Sequence, residues 1–589
     1  MAKFQPTAYP FRIFGGYTVA TMIVTILLGL TLVLAVACGS AAEPTAEPTS
    51  APVAGETSQP TSTPQMAAPP AEVEVNPGKL NIMVGEFASE RFDSSYFGGA
   101  QSGANNYLRV MGGFLVADNE RKEMVPGIAE DWGLSEDGLT WTFTIREGVK
   151  FHNGSDVTQE DVLWTLQHTF GPDAEEYAQS SSSIRTSRAM DRIELSGPAE
   201  VSMITTEPVI EIDNIVSESG STSFHIMPAR DELFDEDAAT AYDNDPIGAG
   251  PMRLVEHVPA SVMKFERFDD FYYQPTNGFA EDKRVNFQSL DLFLVPEEAT
   301  RVAALRSGEA DIVPASIAAK EQIEAGGGRL VFGQEGAIVE PKILGCWTDD
   351  SFPCADKRVR QALNYALDKD VFQNQLFGGP EVFQIKGWFT ITPNTIGYTS
   401  ELDPWPFDPD KARQLMADAG YPDGQGFGKL IINTWPSTAL PLQVESAQLA
   451  AEMYRRELGI DAEVRTGDSQ GMQNQERASA LNGQIFWQDG AARVDATGKV
   501  KNAYTLSDSN IRIHDSPELF RMGEEVVQTL DPDARAQASK EFYIALKEEA
   551  HQISVGYVNI PWGVGPRVET WEPYPLSLWI SALHTITLK

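Results

Sequence analysis

The sequence predicts an α/β protein built as more than one lobe, and three observations carry that reading. A strand pattern at Leu430 to Trp435, an amphipathic helix at Pro441 to Leu458 and a second strand at Ile460 to Arg465 have the spacing of a βαβ unit in a parallel sheet. Nearer the other end, Trp141, Phe143 and Ile145 alternate with Thr142, Thr144 and Arg146, the period of a strand with one buried face. The stretch from residue 77 to 589 is too long for a single hydrophobic core and suits two or three lobes.

Each remaining element follows from local chemistry. Asp137-Gly138 supplies the turn that makes Trp141 to Ile145 the second arm of a hairpin, and Glu147-Gly148 ends it. Ser155 to Asp161 reads as a cap leading into a helix whose apolar side holds Val162, Leu163 and Leu166. Val359, Ala362, Leu363, Ala366 and Leu367 recur at helical spacing behind Asp356 as N-cap, with Gly378 as a stop. Asp408-Pro409 places a cap and a proline at the first helical position of a segment facing Leu415, Met416 and Ala419 inward, and Gly420 closes it. Read this way, these blocks pack; none of them displays catalytic chemistry.

The block MVPGIAEDWGLSEDGLTWTFTIREGVKFHNGSDVTQED (Met124 to Asp161) closely resembles the signature of the extracellular solute-binding proteins of family 5, the dipeptide, oligopeptide and nickel receptors of ABC importers. Four further blocks are similar to that family's in the same order: DPIGAGPMRL (Asp245 to Leu254), ATRVAALRSGEADIV (Ala299 to Val313), FPCADKRVRQALNYALDKD (Phe352 to Asp370) and FDPDKARQLMADAGYPDG (Phe407 to Gly424). The resemblance covers residues 77 to 589. It implies a two-lobed periplasmic-binding-protein fold of type II, in the large cluster with an extra subdomain in the first lobe. On this footing residues 77–115, 190–335 and 556–589 form lobe 1, 116–189 the extra subdomain, and 336–555 lobe 2. The chain is expected to cross between lobes near Val339 to Leu344 and near Ser554 to Ile560, where apolar strand-like runs separate the blocks.

At the N-terminus, Ile13 to Ala42 carries no charge, and its apolar portion from Val19 to Ala37 follows Lys3 and Arg12. This is an export signal or an anchor. Ala35-Val36-Ala37-Cys38-Gly39-Ser40 resembles a bacterial lipobox, with Ala35 where leucine is usual, so residues 1–37 read as a signal peptide and Cys38 as the lipidated first residue. The run is also long enough to cross a hydrocarbon layer of about 30 Å uncleaved. From Gly39 to Asn76 the chain is Ala, Pro, Thr, Ser and Glu, which cannot bury enough surface to offset the entropy of ordering. With Cys38 it forms a tether over 38–76, reaching on the order of 50–100 Å.

Asp and Glu number 84 against 45 Lys and Arg, a formal net charge of −39, which repels nucleic-acid phosphates and anionic lipid alike. A cationic solute would be attracted, although a solubility surface accounts for the same charge. Of three cysteines, Cys346 and Cys354 remain after Cys38, in an exported compartment that permits a disulfide. A metal site is the alternative there, but no histidine is close in sequence and the spacing is not a zinc motif. The chain contains no GxSxG, HExxH, GxxxxGK or CxxC, and Pro251 and Arg253 break the dinucleotide-like start Gly248-Ala249-Gly250. No catalytic residue, cofactor or metal is expected, and His152 is read as making a structural hydrogen bond.

The resemblance carries one ligand position with some argument. Peptide receptors of this family often have an aromatic residue shortly before an aspartate that pairs with the peptide's α-amino group. Here Phe486-Trp487-Gln488-Asp489-Gly490 makes Asp489 the candidate and Trp487 a wall, although Ala491-Ala492-Arg493 replaces the usual continuation. A salt bridge from Asp489 to Arg493 is the competing reading. Trp388, Trp435 and Tyr96 are further candidates for the cleft. The function implied is a monomeric, lipid-anchored receptor on the outer face of the membrane. It captures a small solute, a di- or oligopeptide, and hands it to ABC permease subunits, with no nucleic-acid partner. An oligosaccharide receptor, a sensor or chaperone on the same scaffold and a secreted hydrolase are the alternatives.

Mass spectrometry of the membrane-extracted protein, alkylated after unfolding without reductant, checks both cysteine readings. The expected spectrum starts at a lipid-modified Cys38 and shows Cys346 and Cys354 unalkylated. An intact Met1 to Ala37 peptide would remove the lipoprotein reading, and two alkylated thiols the bridge.

Overall fold

A computed structural model describes residues 78–589 apart from 94, 96–101, 179–180, 219, 221–223, 231–235, 438–439, 502 and 504–511. The signal segment, Cys38, the tether and Tyr96 lie outside the described residues.

One twisted sheet runs through the described chain. Its strands, with those of a smaller sheet, are β1 (Lys79–Val84), β2 (Ala129–Leu134), β3 (Thr140–Ile145), β4 (Met190–Gly197), β5 (Glu200–Thr205), β6 (Met252–Val258), β7 (Val262–Arg267), β8 (Ser289–Leu294), β9 (Ile312–Pro314), β10 (Arg329–Ile343), β11 (Lys429–Thr434), β12 (Asp461–Thr466), β13 (Ile485–Gly490) and β14 (Gly556–Val564). The large sheet has the order β12-β11-β13-β10-β14-β9-β1-β8-β7-β6, with Phe383–Gln384 pairing beside β14. The first half, β9-β1-β8, is parallel and continues into the antiparallel β7 and β6. The second half, β13-β11-β12, is parallel as the βαβ spacing predicts, its crossover helix running Gln443–Leu458.

Two separate cores follow from this division. Leu80, Ile82, Leu290, Leu292 and Ile312 pack into the first, and Ile343, Ile432, Ile485 and Trp487 into the second. Full burial of such side chains contributes about 1.5–3 kcal/mol each. Among the described strands, β10 and β14 belong to both halves. Their pairing shifts register between Gly333 and Ala337, opposite Ile560 and Val558. That shift comes earlier than the first crossing expected from the sequence: Val339 and Ile343 lie inside the second core, because an apolar run marks burial and not a joint. The Ser554 to Ile560 run enters β14 at Gly556 and includes Val558 and Ile560, which face that shift.

The extra layer on the first half is a four-stranded sheet, β2-β3-β5-β4, with a core of its own. Trp141, Phe143 and Ile145 are its buried face. Thr158 caps the helix Gln159–Phe170 in a capping box with Asp161. This sheet does not end at residue 189 as expected from the sequence. β4 and β5 continue it to Thr205, since β5 pairs with β3 along its whole length. The helix behind Asp356 runs Lys357–Tyr365 and stops well before Gly378, because Asp368 caps a new short helix at Lys369–Val371. Asp408 caps Pro409–Asp418 as read from the sequence.

The Gly248-Ala249-Gly250 turn holds this layer to the first half. His152 Nε2 donates to the carbonyl of Gly250 at 3.0 Å, and burial pushes the imidazole down to about 4, so it is neutral at physiological pH. A Cβ on Gly248 would come within 1.9 Å of the Met111 carbonyl oxygen, so close backbone approach, and not phosphate binding, explains the glycines. Gly248→Ala is therefore expected to lose about 1–3 kcal/mol in urea unfolding through forced overpacking. An unchanged midpoint would contradict the tight approach.

Candidate functional site

Parallel strands leave a crevice beyond their carboxyl ends wherever connections diverge. In the first half those ends are Val84 of β1, Leu294 of β8 and Pro314 of β9. A cavity of about 290 Å³ lies there, its wall including Val84, Gly85, Glu86, Pro296, Glu298 and Ser316. Trp562 on β14 and Trp579 on the C-terminal segment add aromatic surface, and Pro441, just before the crossover helix of the second half, closes another side. Both halves of the sheet thus contribute to one enclosure, large enough for a small solute.

Its frame is rigid. Arg301 is buried, and its guanidinium Nη1 donates to the carbonyls of Val295 at 2.8 Å and Pro296 at 2.7 Å, while Nε reaches that of Pro314 at 3.3 Å. One side chain therefore ties together the ends of β8 and β9. Burial lowers the pKa of its guanidinium from the ordinary value, with Glu298 and Glu297 opposing. Glu298 Oε1 accepts from the Ser316 amide at 2.6 Å. The Trp562 indole N–H is buried with no hydrogen-bond partner among the described residues. Such a group costs about 1–3 kcal/mol until an acceptor reaches it.

Asp489 sits near the carboxyl end of β13 in the second half, half-buried. Burial raises its carboxyl above the usual range, a hydrogen bond from the Ser437 hydroxyl opposes this, and Glu340 adds to the rise. Ser437 precedes the cavity-lining Pro441 by four positions. The competing reading, a bridge to Arg493, is corrected: Asp489 makes no ion pair among the described residues, and Arg493 instead lies in the field of Glu340 and Glu211. Glu340 is itself held by Gln488 at 2.8 Å and Lys499 at 3.4 Å.

The aromatic candidates fare differently. Trp487 is fully buried in the second core, its Nε1 donating to Ser446 Oγ at 2.8 Å and its ring stacked near Phe372, so it is not a wall of the cleft. Trp388 packs in a satellite core with Phe389 and Leu546, and Trp435 against Phe486. Neither lines the 290 Å³ cavity; nor does Asp489. Trp562 and Trp579, which do, follow no motif, although Trp562 stands in the apolar run of β14. Cys346 and Cys354 lie with sulfurs 2.28 Å apart and Cα atoms 5.3 Å apart. Among the described residues no cluster of three or more His, Cys, Asp or Glu could hold a metal ion, and no helix is long and apolar enough to cross a membrane.

The arrangement resembles known binding proteins. Residues 123–509 match the profile of the bacterial extracellular solute-binding proteins, family 5 Middle. Heme-binding protein A of Haemophilus influenzae is 22% identical over 477 residues, 77% of this chain and 82% of its own length. The glutathione-binding protein GsiB of Salmonella typhi is 27% identical over 342 residues, 58% of this chain and 61% of its own. The ABC transporter-associated periplasmic binding protein DppA from Helicobacter pylori, solved with the peptide STSA, superposes with a TM-score of 0.65 at 17% identity, covering 87% of this chain and 98% of that one.

Trp562→Phe keeps an aromatic ring but deletes the N–H together with part of the buried indole. It is expected to lower the melting temperature modestly through the space left in the core and to weaken solute binding about tenfold. Equal affinity for the captured solute by calorimetry would show that the indole nitrogen plays no part.

Proposed function

Since the chain belongs to the bacterial extracellular solute-binding proteins of family 5, a family of extracytoplasmic receptors and not of enzymes, we propose that it captures a di- or oligopeptide and presents it to the permease of an ABC importer. The observation that carries the peptide reading is Asp489, a half-buried carboxylate whose hydrogen-bond partner is a neutral hydroxyl and which has no cation beside it among the described residues. Burying an anion is costly without a cationic partner, and a peptide's α-ammonium supplies one. The Trp562 N–H offers a donor for a carbonyl, and Trp579 an apolar face.

Capture works by population shift. A solute that touches both halves stabilises the closed arrangement by its differential affinity for it, and the permease reads closure. The two halves already meet at Lys501 and Glu207, 2.8 Å apart, an exposed pair of little net strength. Closure must therefore draw on the solute. The receptor acts as a monomer, held at the membrane through a lipid on Cys38 and a proline-rich tether. A bridge between Cys346 and Cys354 closes a short loop ahead of the Lys357–Tyr365 helix, which in the chain-entropy estimate contributes about 2–3 kcal/mol.

A thermal-shift panel of dipeptides, tripeptides, their N-acetylated forms and cello- and xylo-oligosaccharides checks the substrate class. Free-amino peptides are expected to raise the melting temperature, N-acetylated ones to do so far less, and Asp489→Asn to abolish the difference. A response to oligosaccharides alone would overturn the peptide reading.

A further inference from the structure

A second cavity, of about 60 Å³, lies inside the first half of the molecule, and its wall includes Arg109, Glu218, Lys283, Tyr272, Tyr273 and Tyr574. About 10–15 Å³ on this measure suffices for one water, so the space holds several waters or one very small molecule. Lys283 is already engaged: it donates to the Asp118 carbonyl, lies 3.6 Å from Glu281 and sits over the Tyr273 ring at 4.4 Å. Arg109 and Glu218 have no ion-pair partner among the described residues. The Arg109 Nε makes one long contact to Asn105 at 3.4 Å, its Nη1 is buried without a partner, and no carboxylate is within ion-pair distance. Glu218 accepts the Asp118 amide at 3.4 Å and, among the described residues, pairs with no cation.

One cavity thus presents two opposite charges that attract each other through space but do not touch. Unpaired charges in such a place are expensive, and a single ligand carrying both signs satisfies both at once. The three buried tyrosines stay neutral, since burial raises each phenol, Tyr273 to about 12 and the others further. They offer ring faces to a cation and hydroxyls to an anion.

We propose that this cavity is an accessory binding site for a small zwitterion of glycine size, its carboxylate taken by Arg109 and its ammonium by Glu218 and the tyrosine rings. The site is distinct from the enclosure at the strand ends, but Arg109 lies 5.2 Å over the ring of Trp579, which lines that enclosure. Occupancy therefore changes the environment of Trp579 and is visible in tryptophan fluorescence.

Calorimetry and fluorescence on the full mature protein test this with glycine, acetate and methylammonium as probes. Glycine is expected to bind saturably at one site per chain, and each half-ligand at least about tenfold more weakly, because each meets only one of the charges. Arg109→Met and Glu218→Gln are each expected to weaken glycine about tenfold, with melting temperatures reporting that the variants fold. Should Arg109→Met fail to fold, Glu218→Gln decides alone. No saturation by glycine below about 10 mM, acetate binding as well as glycine, or wild-type affinity in a folded Glu218→Gln would each overturn the proposal.

Discussion

Everything in the molecule is strung on the antiparallel pair β10 and β14. These two strands are the shared members of both halves of the sheet, and their backbone ladder is interrupted between Gly333 and Ala337. The interruption is polar and small. Glu335 adopts a left-handed φ of 54° and its amide donates to Asn559 Oδ1 at 3.0 Å, while Asn559 Nδ2 donates to the Glu381 carbonyl at 2.9 Å. A Cβ on Gly336 would come within 2.2 Å of Ile560 Cγ1, so the neighbouring position must be glycine. Ile560 packs against both main cores, so one side chain links them at the interruption.

The same topology forms the larger cavity. In the first half the parallel strands end at it, and the groups found there are turn backbones, prolines and a few polar side chains, with Pro441 contributed by the second half. Arg301 and Glu298 spend their hydrogen bonds on holding the loops, so they make the wall rigid and are poor candidates for direct recognition through those atoms. The indole N–H of Trp562 in that wall has no partner, and outside the cavity, on the other half, the carboxylate of Asp489 has only a neutral hydroxyl partner.

This explains which parts were legible in the sequence. The hairpin of β2 and β3, the capped helices and the βαβ unit are local, and period, cap and turn residues specify them. The family blocks likewise coincide with packing demands, such as the glycines that press against Met111. The aromatic candidates were less tractable. In β13 the consecutive Ile485, Phe486 and Trp487 are all buried, so both faces are covered there and alternation cannot say whether Trp487 meets a solute or the core. The cavity wall comes from the ends of β1, β8 and β9, from β14 and from the C-terminal segment, hundreds of positions apart. No local pattern marks residues that only strand order brings together. The register shift was hidden for a related reason, since its signal is two glycines and a buried glutamate and not an apolar run.

On the peptide reading, the energetics of capture also follow from the unspent groups. Moving a receptor from mostly open to mostly closed requires a differential affinity of about 5.5 kcal/mol. An acceptor reaching the Trp562 N–H relieves about 1–3 kcal/mol, and an ammonium meeting Asp489 is a charge-assisted contact of similar size. Together these approach the requirement but fall at its edge, and both groups are satisfied at once only when the two halves approach, because they belong to different halves. The remainder has to come from apolar contact with Trp579 and the proline-lined loops, at about 25 cal/mol per Å² buried. A solute with the polar ends but no apolar body would bind yet close the receptor incompletely, and an apolar body without an ammonium would leave Asp489 buried and unpaired. Selectivity in such a site thus comes from the requirement that one molecule meet both halves, more than from the strength of any single contact.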